Sequence, residues 1–214
     1  MSTFKIKSLN LRKDRIFLSS IAIVLSLYSS FGLTFFAKAC EGVRNDVVRL
    51  HILANSDSKE DQEVKLKVRN ALLRKNTVLL SDNINTENAH IYFKESKDEL
   101  LETAIGVLRD NGFSYGATIS LEKEYFETRK YGDLTFPAGE YLSLKVILGK
   151  GAGHNWWCVM FPPLCIPVSS EIETDESKTA DYLSPNGEEI INGGNEYIIK
   201  FKIIEVFEEL KSKL

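Results

Sequence analysis

Twenty-two consecutive residues, Ile16 to Ala37, carry no charged side chain. A run of that length is enough to cross a bilayer core of about 30 Å, so it divides the chain before any fold is considered. Lys5, Lys7, Arg12, Lys13 and Arg15 precede it, and Ala37-Lys38-Ala39 follows. Basic lead, apolar run and small-x-small site form the pattern of a secretory signal peptide, with Ala37 and Ala39 as the small residues at the cleavage site. An uncleaved membrane anchor satisfies the same pattern, with membrane contact through residues 16–37. Ser19, Ser20, Ser26, Ser29, Ser30 and Thr34 dilute the run and favour the signal. Both readings put the rest of the chain outside the cytoplasm. A lipoprotein reading of Cys40 is weak, because Ala37 stands where a leucine-like residue is expected.

Removing residues 1–39 leaves 175 residues, enough for one domain with a real core. The removed part holds six of the 27 basic and one of the 30 acidic residues, leaving 21 and 29, a net charge of −8. That balance argues against nucleic acid or anionic lipid as the main partner, since both need a basic surface. Three cysteines are too few for a disulfide scaffold.

Asp46 to Ala54 reads as a strand whose apolar residues are too dense for one-sided burial, hence an inner strand. Asn55 to Ser58 is a turn, and Ser58 caps a helix with Asp61 in the capping-box position. Val64, Val68, Ala71 and Leu72 give that helix an apolar stripe. A second helix is expected from about Glu87 to Arg109, closed by a left-handed Gly112. Phe113 to Glu124 reads as a strand, Tyr125 to Ala138 as a loop or irregular strand, and Glu140 to Leu148 as a strand. The acidic, polar stretch from Ser169 to Glu189 reads as a surface excursion. Ile199, Ile203, Val206, Phe207 and Leu210 mark a terminal helix packed on the core.

Gly149 to Cys165 concentrates both tryptophans and two of the three cysteines. Its glycines predict a turn, Asn155 to Phe161 a strand, and Pro162-Pro163 a stop. This strand is expected to form a hairpin with Glu140–Leu148 across Gly149–Gly153. The sum is a mixed β-sheet with helices packed on it, α/β or α+β, in a single domain after the N-terminal signal or anchor helix. The expected divisions are 1–39 (signal or anchor), 40–168 (core domain), 169–195 (acidic excursion) and 196–214 (C-terminal helix).

Few residues suggest chemistry. His51, His90 and His154 do not stand at metal-ligand spacing, so neither metal nor other cofactor is expected. Asn55-x-Asp57 starts like a calcium loop and then fails at Lys59, Glu60 and Leu66. Cys158 with His154 allows a nucleophile–base pair, but in an exported chain a Cys158–Cys165 disulfide is the preferred reading. Trp156 and Trp157 point to opposite faces of their strand: one is expected in the core, the other is open to a role as an exposed anchor. No phosphate loop, nucleophile elbow or zinc motif is present, so no catalytic residues are assigned.

Two stretches are distinctive together: Arg49-Leu-His-Ile-Leu-Ala-Asn-Ser-Asp-Ser-Lys-Glu-Asp-Gln62 running into Lys65–Arg69, and Asn155-Trp-Trp-Cys-Val-Met-Phe-Pro-Pro-Leu-Cys165. With Tyr131–Glu140, they resemble the stage II sporulation protein R family of endospore-forming bacteria. The resemblance implies a secreted signalling protein without catalytic residues, exported from the forespore into the space between the two sporulation membranes. There it would trigger a membrane-embedded aspartic protease of the mother cell to cleave the pro-form of an early sigma factor. Asn55, Ser56, Asp57, Asn155, Trp156, Trp157, Pro162 and Pro163 are the expected contacts to that protease, since both segments lie at strand ends. The rival from another class is an exported cell-wall hydrolase or binding protein, with Asp57 or Cys158 in a cleft and tryptophan stacked on sugar.

Overall fold

The structure is a computed structural model, and it describes residues 11–79, 86–131, 134–162, 183, 185–193 and 197–212. The chain forms two compact units, Met1–Lys38 and Ala39–Leu214. Helix α1 (Leu11–Asp46) holds the uncharged run, contains a stretch long and apolar enough to cross a membrane, and continues through Ala37 and Ala39. Cys40 is buried and unpaired.

The second unit is built on a four-stranded mixed sheet with β1 (Val48–Leu53) inside it. The order is β2 (Ala117–Phe126), β5 (Gly139–Leu148), β1, β6 (Asn155–Phe161). β1 runs parallel to β5 and antiparallel to β6, and β2 runs antiparallel to β5. The dense apolar content of β1 therefore has the reason the sequence indicated: neighbours on both edges and cover on both faces. The expected β5–β6 hairpin is not formed. β1 is wedged between the two strands, and Gly149–Gly153 carries the chain across the end of β1.

Strand alternation sorts the two faces. Leu50, Ile52, Leu144, Val146, Cys158 and Met160 face α2 (Lys59–Leu79) and α4 (Lys97–Asp110), which contribute Val64, Val68, Leu72, Leu100, Ala104 and Leu108. Asn76 ties α2 to this layer by donating from Nδ2 to the Met160 carbonyl at 2.9 Å. The expected single helix over 87–109 is two, α3 (Thr86–Glu95) and α4, broken at Ser96. Phe93 of α3 and Leu100 of α4 both lie in this core. Gly112 closes α4 at φ +80°, as expected, with Phe113 N–H donating to the Leu108 carbonyl at 3.0 Å.

The opposite face is only partly covered. Near the start of β1, Val43, Val47, Phe136, Tyr141, Val159 and Ile191 form a second cluster. Its cover is the hairpin β3 (Arg129–Tyr131)–β4 (Leu134–Phe136) and helix α5 (Pro185–Asn192). Residues 185–192 of the expected excursion are thus a helix with buried Ile190 and Ile191; residues 163–182 lie outside the described residues.

The terminal helix α6 (Ile198–Ser212) forms, but docks by the other face. Phe201 and Ile204 are buried, while Ile199, Ile203, Val206, Phe207 and Leu210 are exposed. The helix is apolar on two sides, so periodicity alone did not choose. The docked side also carries Glu208, which pairs with Arg44 at 3.5 Å.

Candidate functional site

Four of the eight predicted contact residues, Asn55, Ser56, Asp57 and Asn155, meet at the end of β1 where its chain leaves the sheet. Asn55–Ser58 turns there, the first turns of α2 follow, and the 149–154 loop arrives from β5. Backbone bonds join the two loops: Ala152 N–H donates to the Asn55 carbonyl at 3.2 Å and Gly153 N–H to the Ala54 carbonyl at 2.9 Å. Asn55 Oδ1 accepts from Lys150 N–H at 3.0 Å. Gly149 sits at φ +55°, and any Cβ there would strike Asn55 Oδ1. Gly153 is equally constrained, since its Cβ would overlap the Ser56 carbonyl. Lys65 of α2 donates to the His154 carbonyl at 2.8 Å and to Gln62 Oε1 at 2.6 Å.

Asp61 is the hub of this clasp. Ser58 Oγ accepts the Asp61 N–H at 3.2 Å, so the predicted cap is present. The reciprocal half of the capping box is not: the Ser58 N–H goes to Ser56 Oγ at 3.2 Å. The Asp61 carboxylate instead turns inward, accepting from Asn55 Nδ2 at 2.8 Å, from Ser56 Oγ at 2.5 Å and from the Tyr115 hydroxyl. Burial pushes its pKa up, but the bonds from Ser56, Tyr115 and Asn55 together outweigh this and hold it below the usual carboxylate value.

What the clasp shows to solvent is therefore Asp57 and His154. Their side chains are paired with each other and remain 56% and 78% exposed, and Asp57 Oδ1 also accepts the His154 N–H at 2.7 Å. Asn55 and Ser56 spend their side chains on Asp61 and contribute shape. Asn155 is exposed beside His154.

A polar strip continues from Asn155 along the face opposite α2 and α4. His51 Nδ1 lies 3.0 Å from the Glu124 carboxylate, and Nε2 lies 2.8 Å from the Asn155 side-chain amide. Lys145 joins Glu122 and Glu124 at 2.8 Å each. Burial raises the Glu124 pKa, but its bonds to Lys145 and His51 help bring it below its ordinary value. Trp157 stacks on His51 with ring centroids 3.4 Å apart. Sequence reading missed this array. Its trace was Glu122/Glu124 and Ser143/Lys145 at alternate positions on strands, which puts each pair on one face.

Other expectations separate. The tryptophans do not divide into one core and one exposed residue: both are half-buried, Trp157 packed on His51 and Phe126, and Trp156 under Arg69, whose guanidinium is 4.2 Å from its ring centre. Pro162 is buried at the far end of β6, roughly 20 Å from the clasp for a seven-residue strand. Pro163 and Cys165 lie outside the described residues. Cys158 sits in the helix-side core, and His154 is exposed and engaged with Asp57, so the two do not form a nucleophile–base pair.

The clasp, the strip and a helix-backed mixed sheet define an α+β domain with a rigid polar end. The family described as stage II sporulation protein R matches residues 44–171, a span that includes all four strands of the sheet and both loops of the clasp. Stage II sporulation protein R of Bacillus subtilis (strain 168) is 37% identical over 123 residues, covering 58% of this chain and 55% of that protein. The chain thus spans about half the length of that relative. No solved structure matches. The chain belongs to the stage II sporulation protein R family, and its role is in sporulation.

Proposed function

We propose that this chain is an exported signal that activates a membrane-embedded aspartic protease of the mother cell, which then processes a pro-sigma factor. The observation that carries the reading is the family segment itself: it spans the sheet and the whole clasp. An apolar N-terminal helix fits a signal or anchor and supports export. The clasp suits recognition because its exposed pair, Asp57–His154, is held by three elements and needs little ordering on binding. The receptor would meet Asp57, Lys150, His154 and Asn155, rather than the tryptophans or Pro162. A Cys158–Cys165 disulfide belongs to the same reading.

The test is reconstitution. Membranes carrying the protease and its pro-sigma substrate receive the purified chain, with and without reductant, and cleavage is followed on a gel. Cleavage should depend on added protein, and Asp57→Ala with His154→Ala should lower it about tenfold or more, the equivalent of roughly 1.4 kcal/mol of lost contact. The pair is mostly exposed, so the thermal midpoint should hold. No cleavage from folded protein and competent protease would overturn the reading.

A further inference from the structure

We propose that α6 is a membrane-surface helix whose outer apolar stripe enters the bilayer interface. Ile199, Ile203, Val206, Phe207 and Leu210 recur at helical spacing, with exposures from 45% at Ile203 to 76% at Ile199. Ile198 adds a sixth exposed apolar side chain at the start of the helix. The opposite side is docked through Phe201 and Ile204, so the helix is fixed with an apolar face outward.

Three observations select a lipid surface as the occupant. Lys200, Lys202 and Lys211 flank the stripe; Lys202 pairs with Glu205 at 2.6 Å and Lys211 with Glu208 at 4.0 Å, both carboxylates lying on the side away from the stripe. Lysines at the margin of an apolar stripe reach the headgroups while their stems cover hydrocarbon. The domain's net charge opposes general attraction to anionic lipid, so the apolar face provides the binding and the lysines act locally. Second, Arg44 pairs with Glu208 of α6 at 3.5 Å, and only six residues of chain lie between Ala37, the end of the uncharged run, and Arg44. Even fully extended, that span is about 25 Å, so a retained apolar segment keeps α6 near the membrane. Third, the exposed apolar side chains lie along one face of a single 15-residue helix, the arrangement that an interfacial helix presents to a bilayer.

The test uses the full chain in vesicles of phosphatidylethanolamine and phosphatidylglycerol. A nitroxide is placed at Val206→Cys and, in a second preparation, at the exposed Asn192→Cys of α5. The unsubstituted chain gives the labelling background, with Cys40 buried. Collisions with dissolved oxygen and with a water-soluble nickel chelate are compared. At position 206 oxygen should gain and the chelate should lose on vesicle binding; at 192 the chelate should dominate. Chelate access at 206 equal to that at 192 would overturn the proposal, and so would shielding from both reagents, which would mean a protein covers the stripe. Adding Ile199→Glu and Ile203→Glu to the position-206 chain should abolish the oxygen preference with the far-ultraviolet circular dichroism unchanged. Persistence of the preference would also overturn it. The outcome does not depend on which protease is the receptor, so it fails separately from the signalling reading.

Discussion

Two charges are buried at opposite ends of the same strand region, and the fold treats them differently. Asp61, just beyond the end of β1, is surrounded by donors aimed at it: Asn55, Ser56 and Tyr115. Arg49, near the start of β1, is fully buried among rings. Its guanidinium carbon lies 4.4 Å from the Phe126 ring centre and 5.2 Å from that of Tyr141. Its Nη2 donates to the Tyr131 hydroxyl at 2.9 Å, while Nε and Nη1 have no hydrogen-bond partner among the described residues. Burial lowers the Arg49 pKa, opposing its charge. Directed hydrogen bonds specify where three separate segments must sit. Ring faces accept a cation from many directions and specify much less. The carboxylate organises a surface; the guanidinium fills a box.

The largest expected effect tests the first half of that contrast. Asp61→Ala leaves three half-buried donors without their acceptor and should cost about 3 kcal/mol in urea denaturation. Its folded pKa is depressed, so its stabilisation is present above the unfolded carboxylate value of about 3.9 and fades as pH falls through the folded value. Asp61→Asn should flatten that acid limb; an unchanged limb would assign it to another carboxylate. Next comes Gly149→Ala, which meets both a positive φ and the Asn55 side chain. About 2 kcal/mol should be lost, with faster hydrogen exchange at Ala152 and Gly153. Protection left unchanged would show that the clasp survives without Asn55 in place. Smallest is Arg49→Met. A flexible apolar side chain of similar length should change stability by less than about 1 kcal/mol or raise it, and should leave the acid limb as it was. A loss matching that of Asp61→Ala would erase the distinction between the two sites.

Much of this fold was legible in the chain. β1, the Ser58 cap, the left-handed Gly112 and strand β5 were all readable from spacing, because each depends on residues within one turn or one strand. Most of the errors share a cause. The expected β5–β6 hairpin failed because nothing local to Gly149–Gly153 reports that β1 occupies the place between the strands. The long second helix is divided at Ser96, although Phe93 and Leu100 stand at a spacing that one continuous helix would also put on one face. Asp61 was legible as a capping residue, but its three partners include Tyr115, 54 residues away. The His51–Glu124–Lys145 array spans three strands that are distant in sequence, so it acquires meaning only when the strands are ordered.

By itself, then, the sequence determined the elements, the uncharged N-terminal run and the family, since periodicity, caps and motifs are properties of neighbouring residues. The tertiary structure decided which strands touch, which tryptophan faces which layer, and which of two apolar faces of α6 is buried. Those outcomes depend on burial and charge pairing between segments far apart in the chain, such as Arg44 with Glu208. A local pattern offers two faces to such contacts and cannot choose between them.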